Sequence, residues 1–171
     1  MSEIAISTNP FDDDKLHEEC GIFAIYGNED AAALTTLGLH ALQHRGQEAS
    51  GIVSYDGDHF YQHRGLGLVA EVFGQQETIK TLKGYAAIGH NRYSTTGGAG
   101  LRNVQPLYAD LASGGFAVAH NGNLTNAHTL REELVQKGSL FQSTSDTEVI
   151  IHLMAVSAKK SATDRLIDAV N

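Results

Sequence analysis

The chain has 171 residues, enough for one domain with its own hydrophobic core. Its 12 basic and 20 acidic residues give a formal net charge of −8. This balance argues against duplex nucleic acid as a partner, because binding phosphates needs a basic surface. No apolar run approaches the ~20 residues of a membrane-spanning helix. The single cysteine cannot form an intrachain disulfide, which is typical of a reducing, cytoplasmic compartment.

The first 19 residues lack the apolar core of a secretory signal, and Asp12, Asp13 and Asp14 make their middle acidic. We interpret residues 1–19 as a segment that is disordered or removable. Cys20 follows at once and opens a short segment, 20–26, that is apolar on both faces. That pattern predicts a fully buried strand.

The next segment reads as a helix for which Asn28 is a candidate cap. An apolar stripe of Leu34, Leu37 and Ala41 predicts its buried face, and Gly46 is a plausible C-terminal cap.

His40 and His44 are one helical turn apart, a spacing at which two histidines can share a metal. The spacing suggests no third ligand, so surface histidines are the plainer interpretation and we predict no metal site.

Asp56-Gly57 is a strong hairpin signal between two short apolar segments. Asp110 marks the end of a long, glycine-rich stretch that begins after residue 90 and that we expect to be a functional loop. A capping-box pattern begins at Ser145 and has Glu148 three residues later. The predicted elements after the first helix are strands at 50–55, 58–63, 85–90 and 116–120 and helices at 75–82, 125–137, 149–156 and from 162.

This order contains an antiparallel hairpin and no repeated strand–helix–strand crossover, which favours a layered α+β fold over a doubly wound one. The last predicted helix runs to Asn171 without a stop signal. We therefore expect the chain to continue into a larger protein.

Several polar features need a joint explanation, although each has an ordinary structural one. A cysteine at a strand start is usually an inert buried residue. If residues 1–19 are removed, however, Cys20 becomes a nucleophile with its own α-amine as base. Asn121 and Gly122 offer a side-chain and a backbone donor for an oxyanion. Arg92 suits a carboxylate and Asp146 an ammonium group, and an amino acid with a side-chain amide carries both charges.

At these residues the chain resembles the N-terminal glutaminase domain of the amidophosphoribosyltransferase family. The resemblance extends from about Cys20 to the end of the sequence. The segments that carry it are residues 20–23, 42–52, 89–97, 120–124 and 145–148. The resemblance implies a four-layer αββα N-terminal-nucleophile hydrolase fold with two antiparallel sheets, incomplete at its C-terminus. It divides the chain into a propeptide, 1–19, and a type 2 glutamine amidotransferase domain, 20–171.

The resemblance also implies roles for individual residues. Cys20 would be the nucleophile, and Asn121 and Gly122 would form the oxyanion hole. The glutamine α-groups would be held by Arg92 and Asp146, with Thr95 nearby. The loop 92–103 would close over the substrate, which its glycines would allow.

In this family the ammonia released from glutamine displaces pyrophosphate from phosphoribosyl pyrophosphate in a second, phosphoribosyltransferase domain. The product, 5-phosphoribosylamine, begins de novo purine synthesis. The resemblance therefore implies glutamine and phosphoribosyl pyrophosphate as substrates, Mg²⁺, a homo-oligomer when full length, and for some members a [4Fe-4S] cluster. For the glutaminase domain itself we expect no cofactor, nucleic acid or membrane partner.

Three alternatives remain open from the sequence. The domain could belong to another class II amidotransferase, although the run 43–48 and the residues after Arg92 favour the purine enzyme. It could be a stand-alone hydrolase of acyl amides, against which Arg92 and Asp146 argue because an apolar acyl group needs neither charge. It could also be an unprocessed, non-catalytic assembly domain in which Cys20 is never unmasked.

Overall fold

The computed structural model describes residues 20–93, 100–111 and 114–170. The predicted propeptide, 1–19, and the predicted glutamine contact Thr95 lie outside these ranges, as does part of the predicted closing loop. Within the described residues, no helix is long and apolar enough to cross a membrane.

Two antiparallel sheets form the centre of the domain. The first has the strand order β1-β4-β2-β3, and the second pairs β5 with β6. The strands are β1 Gly21–Tyr26, β2 Ala49–Tyr55, β3 Phe60–Leu66, β4 Ala86–Arg92, β5 Leu107–Leu111 and β6 Gly114–Val118. The helices are α1 Ala31–Ala41, α2 Val69–Val72, α3 Gln76–Thr81, α4 Ala127–Gln136, α5 Thr147–Val156 and α6 Ala162–Val170.

Side-chain alternation gives the first sheet two different faces. On one face, Ile52 of β2 and Ala87 of β4 join Leu39 of α1 in the main buried core. On the other face the second sheet approaches closely, and the ring of Phe60 lies 5.1 Å from that of Tyr108. Since α5 contacts β5, the layers run helix, sheet, sheet, helix. The predicted α+β class with two antiparallel sheets is confirmed.

The same alternation directs the polar strand ends. His90 pairs with Gly51 in register, and Arg92 pairs with Ala49. Gly51 faces the second sheet, because a Cβ built on it would lie 2.2 Å from the carbonyl oxygen of Gln105. His90 and Arg92 therefore face the space between the sheets, as does Cys20, which precedes β1 by one residue.

The structure corrects the prediction that the first strand is fully buried. β1 is an edge strand of its sheet, and Ala24 and Tyr26 are exposed, Tyr26 to 83%. The prediction was wrong because an apolar segment reveals neither its place in the sheet nor how far the opposing layer extends.

The prediction of which face of α1 is buried is also wrong. The helix buries Ala31, Thr35 and Leu39, whereas Leu37 is 65% exposed. Small residues let the helix lie close to the sheet, so that a Cβ on Gly38 would lie 2.3 Å from the ring of Phe23. The leucine stripe was the more apolar pattern but not the one that fits the sheet.

Other local differences follow from contacts that are distant in sequence. The strand β5 and the four-residue helix α2 occur where the sequence indicated loops. Gly46 ends a 3₁₀ turn, Gln43–Arg45, in an extended conformation rather than capping α1. Glu148 does not complete a capping box with Ser145, since its carboxylate instead accepts hydrogen bonds from the backbone N–H groups of Gln142 and Ser143.

Candidate active site

A cavity of about 460 Å³ opens at the edge of the space between the two sheets. A volume of this order is typical of sites for small ligands. Four of the predicted site residues line it: Cys20, Arg92, Gly122 and Asp146. The fold therefore brings together residues that are up to 126 positions apart in the sequence.

Cys20 is half-buried, and its thiol lies 3.9 Å from the backbone oxygen of Tyr93. Its backbone carbonyl accepts two hydrogen bonds, from Nε of Arg45 at 2.9 Å and from Nδ2 of Asn121 at 3.0 Å. The predicted nucleophile and the predicted oxyanion donor Asn121 are thus in direct contact. The role of Arg45 was not predicted, although it lies within a segment that carries the family resemblance.

Gly122 provides a backbone N–H beside the cavity, in a conformation that favours glycine. Its φ is +145°, and a Cβ at this position would lie 3.0 Å from Nε2 of His120. Both the backbone and the neighbouring imidazole therefore disfavour any larger residue. A chain that turns in this way can present its N–H toward the cavity, as an oxyanion hole requires.

Asp146 stands at the N-terminus of α5. One carboxylate oxygen accepts from the N–H of Thr147 at 2.8 Å, and the other accepts from the N–H of Leu124 at 2.8 Å. The second oxygen also lies 3.9 Å from Nδ1 of His120. Because a carboxylate offers about four acceptor positions, these contacts fix its orientation and leave capacity for a further donor in the cavity.

His90 lies beneath the cavity wall and is fully buried. Burial, reinforced by the positive charge of Arg92, lowers the pKa of His90 to about 4, and the backbone of His120 opposes this shift only in part. Neither ring nitrogen of His90 meets a partner at hydrogen-bonding geometry within the described residues. The imidazole is therefore neutral near pH 7, and the cationic side chain at this wall is Arg92.

Two amides that sequence reasoning missed build the remaining walls. The side chain of Gln105 accepts from the N–H of His120 at 2.7 Å and donates to the carbonyl of the same residue at 3.3 Å. The side chain of Asn103 accepts from the backbone N–H of Thr144 at 2.9 Å and donates to the hydroxyl of the same residue at 2.8 Å. The two amides thus tie one chain segment to both sides of the cavity. The sequence carried no signal for this, because the partners are 15 and 41 residues away.

Within the described residues, no group of three or more His, Cys, Asp or Glu side chains could hold a metal ion. His40 and His44 are both at least partly exposed. The chain's single cysteine does not fit an iron–sulfur cluster, which is held by several thiolates. The cluster and the magnesium implied by the resemblance stay predictions.

Known proteins are similar to this chain in sequence and in fold. A family model described as "Glutamine amidotransferase domain" matches residues 90–167. The chain is 59% identical over 162 residues to an amidophosphoribosyltransferase of Rhizobium etli, covering 95% of this chain and 33% of that protein. It is 53% identical over 145 residues to an amidophosphoribosyltransferase of Lacticaseibacillus casei, covering 85% of this chain and 75% of that sequence.

Solved structures agree. The glutamine phosphoribosylpyrophosphate amidotransferase from B. subtilis, complexed with ADP and GMP, superposes with a TM-score of 0.81 at 46% identity. The match covers 87% of this chain and 32% of that one. Stacked antiparallel sheets, with a cysteine at the start of the first strand facing the cavity between them, define a glutamine amidotransferase domain of the N-terminal-nucleophile hydrolase class.

The chain belongs to the amidophosphoribosyltransferase family. It spans about a third of the length of the relatives from Rhizobium etli and Bacillus subtilis. The resemblance drawn from the sequence motifs is confirmed, and the alternative of another class II amidotransferase is not supported.

Proposed function

We propose that this domain hydrolyses glutamine to glutamate and ammonia through a thioester on Cys20. The observation that carries the proposal is the composition of one cavity, whose walls present a thiol, the guanidinium of Arg92 and the carboxylate of Asp146. The two charges complement those on the α-carbon of an amino acid, and the thiol can then reach its side chain.

Binding would use the two charged groups in different ways. The planar guanidinium of Arg92 suits the α-carboxylate, because the two can form parallel hydrogen bonds. The carboxylate of Asp146 is held by Leu124 and Thr147 and would accept from the α-ammonium group. An acyl amide without these charges would leave both groups buried against apolar surface, which is costly.

The reaction begins once residues 1–19 are removed and the α-amine of Cys20 is free. An α-amine has a pKa of about 8 in peptides, so it can accept the thiol proton near neutral pH. The thiolate attacks the side-chain carbonyl carbon, and the resulting oxyanion accepts from Asn121 and from the N–H of Gly122. The C–N bond breaks as the α-ammonium protonates the leaving ammonia. Water then attacks the thioester and gives a proton to the α-amine, the C–S bond breaks, glutamate leaves, and the Cys20 thiolate takes that proton back from the α-ammonium.

In the whole protein we propose that this ammonia is transferred to phosphoribosyl pyrophosphate, giving 5-phosphoribosylamine for purine synthesis. Support comes from the family membership and from the name of the Bacillus subtilis enzyme whose structure this chain matches. Magnesium would assist that second step, and a homo-oligomer in the cytoplasm is our expectation for the full-length chain.

The intact mass of the expressed full-length protein, before and after treatment with a glutamine-analogue diazoketone, tests the glutaminase proposal. We expect loss of residues 1–19 and a single adduct on the new N-terminal Cys20. Cys20→Ala should take up no adduct and release no glutamate. A control with Asp58→Asn, an exposed residue of the β2–β3 hairpin, should behave as the wild type.

Two results would contradict the proposal in different ways. Turnover by a chain that still begins at Met1 would exclude the α-amine as base, because the nitrogen of Cys20 is then a peptide nitrogen. A processed chain that neither forms the adduct nor releases glutamate would exclude the glutaminase activity itself and favour a non-catalytic assembly domain.

A further inference from the structure

Two donors from distant parts of the chain converge on the carbonyl oxygen of Cys20. Nε of Arg45 donates at 2.9 Å and Nδ2 of Asn121 donates at 3.0 Å. The two residues are 25 and 101 positions from Cys20 in the sequence. The carbonyl oxygen of Cys20 thus links the backbone of the nucleophile to the guanidinium of Arg45 and to the side-chain amide of Asn121, the predicted oxyanion donor.

The Arg45 side of this contact is built on rigid structure. Arg45 ends the 3₁₀ turn Gln43–Arg45, and Oε1 of Gln43 accepts from the N–H of Val69 at 2.7 Å. The next residue, Gly46, lies against the backbone of β4, where a Cβ would approach the carbonyl carbon of Arg92 to 2.8 Å. The turn is therefore held between α2 and β4, and its guanidinium reaches Cys20 from a fixed base.

The Asn121 side is less constrained. Asn121 is exposed and lies three residues beyond the end of β6, in the segment before Gly122. Its side-chain amide donates to the Cys20 carbonyl. An amide NH₂ carries two N–H donors, so the one that is not bound to the Cys20 carbonyl stays available for another acceptor. Because the first N–H is bound to the carbonyl oxygen, the position of that oxygen restricts where the second N–H can point.

We infer that Arg45 is a positioning residue that fixes the Cys20 carbonyl, so that Asn121, bound to the same oxygen, aims its second N–H at the developing oxyanion. This inference rests on the proposed glutaminase function. Electrostatic stabilisation depends on donors that are already oriented, so an uncertain carbonyl position weakens the transition state more than substrate binding. Arg45 would therefore affect kcat and leave KM nearly unchanged.

A merely structural arginine would behave differently. It would lower the stability of the fold and reduce the amount of active protein, and its loss would combine independently with loss of Asn121. An arginine that acts through Asn121 becomes irrelevant once the Asn121 amide is gone, because the donor that it aims no longer exists. Residues acting as a unit show such non-additive effects.

The test is a double-mutant cycle on the full chain, in samples whose mass shows an N-terminal Cys20. We expect Arg45→Met to lower kcat by about 10- to 100-fold with KM within about 3-fold of wild type. Asn121→Ala should lower kcat by about 100- to 1000-fold. The double variant should fall no more than about 3-fold below Asn121→Ala alone.

Arg165→Met is the matched control, because NH1 of Arg165 also donates to a backbone carbonyl, that of Met154, at 3.0 Å and away from the cavity. It should lower the melting temperature without changing kcat or KM. Arg45→Lys, which keeps a cation near the turn, should recover part of the activity, and it replaces Arg45→Met in the cycle if the methionine variant does not fold.

The outcomes separate the inference from the proposed function. Additive losses in the double variant, or a rise in KM with kcat unchanged, would overturn the role of Arg45 while the glutaminase stands. A processed wild type without glutaminase activity would overturn both.

Discussion

At the scale of single residues, Asp146 combines a structural and a binding role. It accepts from two backbone N–H groups, those of Leu124 and Thr147. We expect Asp146→Asn to raise the KM for glutamine by about 10- to 100-fold, because a hydrogen bond to a charged group contributes about 1.5–3 kcal/mol. Asparagine keeps one oxygen for the N–H of Thr147 at the helix N-terminus and loses the acceptor for the N–H of Leu124. Neither N–H belongs to a reacting group, so kcat should stay within about 3-fold of wild type. Steady-state assays of glutamate release measure both constants.

Asp164→Asn is the control for this substitution. Asp164 is exposed in the first turn of α6, where it accepts from the hydroxyl of Ser161. It should leave KM unchanged, and thermal unfolding of both variants would show whether capping accounts for any loss. A collapse of kcat with KM unchanged in Asp146→Asn would assign Asp146 to the chemical step instead of to binding.

At the scale of elements, the packing of α1 on β1 requires that residue 38 be a glycine, which has no side chain. A Cβ at Gly38 would lie 2.3 to 2.6 Å from three carbons of the Phe23 ring. We expect Gly38→Ala to lower the free energy of unfolding by about 1–3 kcal/mol, the usual cost of overpacking. Alanine's higher helix propensity, worth about 1 kcal/mol, offsets only part of this. Urea denaturation followed by circular dichroism measures the difference.

Leu37→Ala provides the comparison within the same helix, since Leu37 is 65% exposed and should change stability by less than about 0.5 kcal/mol. If Gly38→Ala stabilised the protein, the gain in helix propensity would exceed the steric cost. The contact between α1 and Phe23 would then be looser than the structure indicates.

The elements that the sequence predicted are those whose signal is local. The hairpin was found because Asp56-Gly57 fixes a turn, and its register joins Tyr55 to Phe60. β5 was missed because its five residues follow a glycine-rich segment that reads as loop. α2 was missed because four residues give no helical period. The buried face of α1 depends on the sheet beneath it, which no local pattern reveals.

The candidate site divides in the same way. Sequence motifs and the family resemblance predicted four residues that line the cavity: Cys20, Arg92, Gly122 and Asp146. Gln105 shapes the cavity by pairing with the backbone of His120, and this depends on how the two sheets meet. Thr95 stays a prediction, since it lies outside the described residues.

At the scale of the whole molecule, His90 connects acidity to stability. Burial and the charge of Arg92 lower its pKa from 6.5 to about 4 in the folded protein. Above pH 6.5 the imidazole is neutral in both states and contributes no pH dependence. Between pH 6.5 and 4 the unfolded chain takes up a proton that the native state does not. The free energy of unfolding therefore decreases as the pH is lowered, by up to about 3 kcal/mol. This loss of stability is complete below about pH 4.

Urea unfolding of wild type and His90→Gln at about pH 7, 6, 5 and 4 tests this, with the exposed His128→Gln as control. His90→Gln should have a shallower slope below about pH 6.5, by at most about 1.4 kcal/mol per pH unit, while His128→Gln should follow wild type. Burial also lowers the pKa of His152, but this residue and the carboxylates are common to all three proteins, so the difference reports on His90 together with its interactions with Arg92 and His120. An unchanged slope would mean that the folded protein accommodates the charged imidazole, and that a partner for it exists in the space between the sheets.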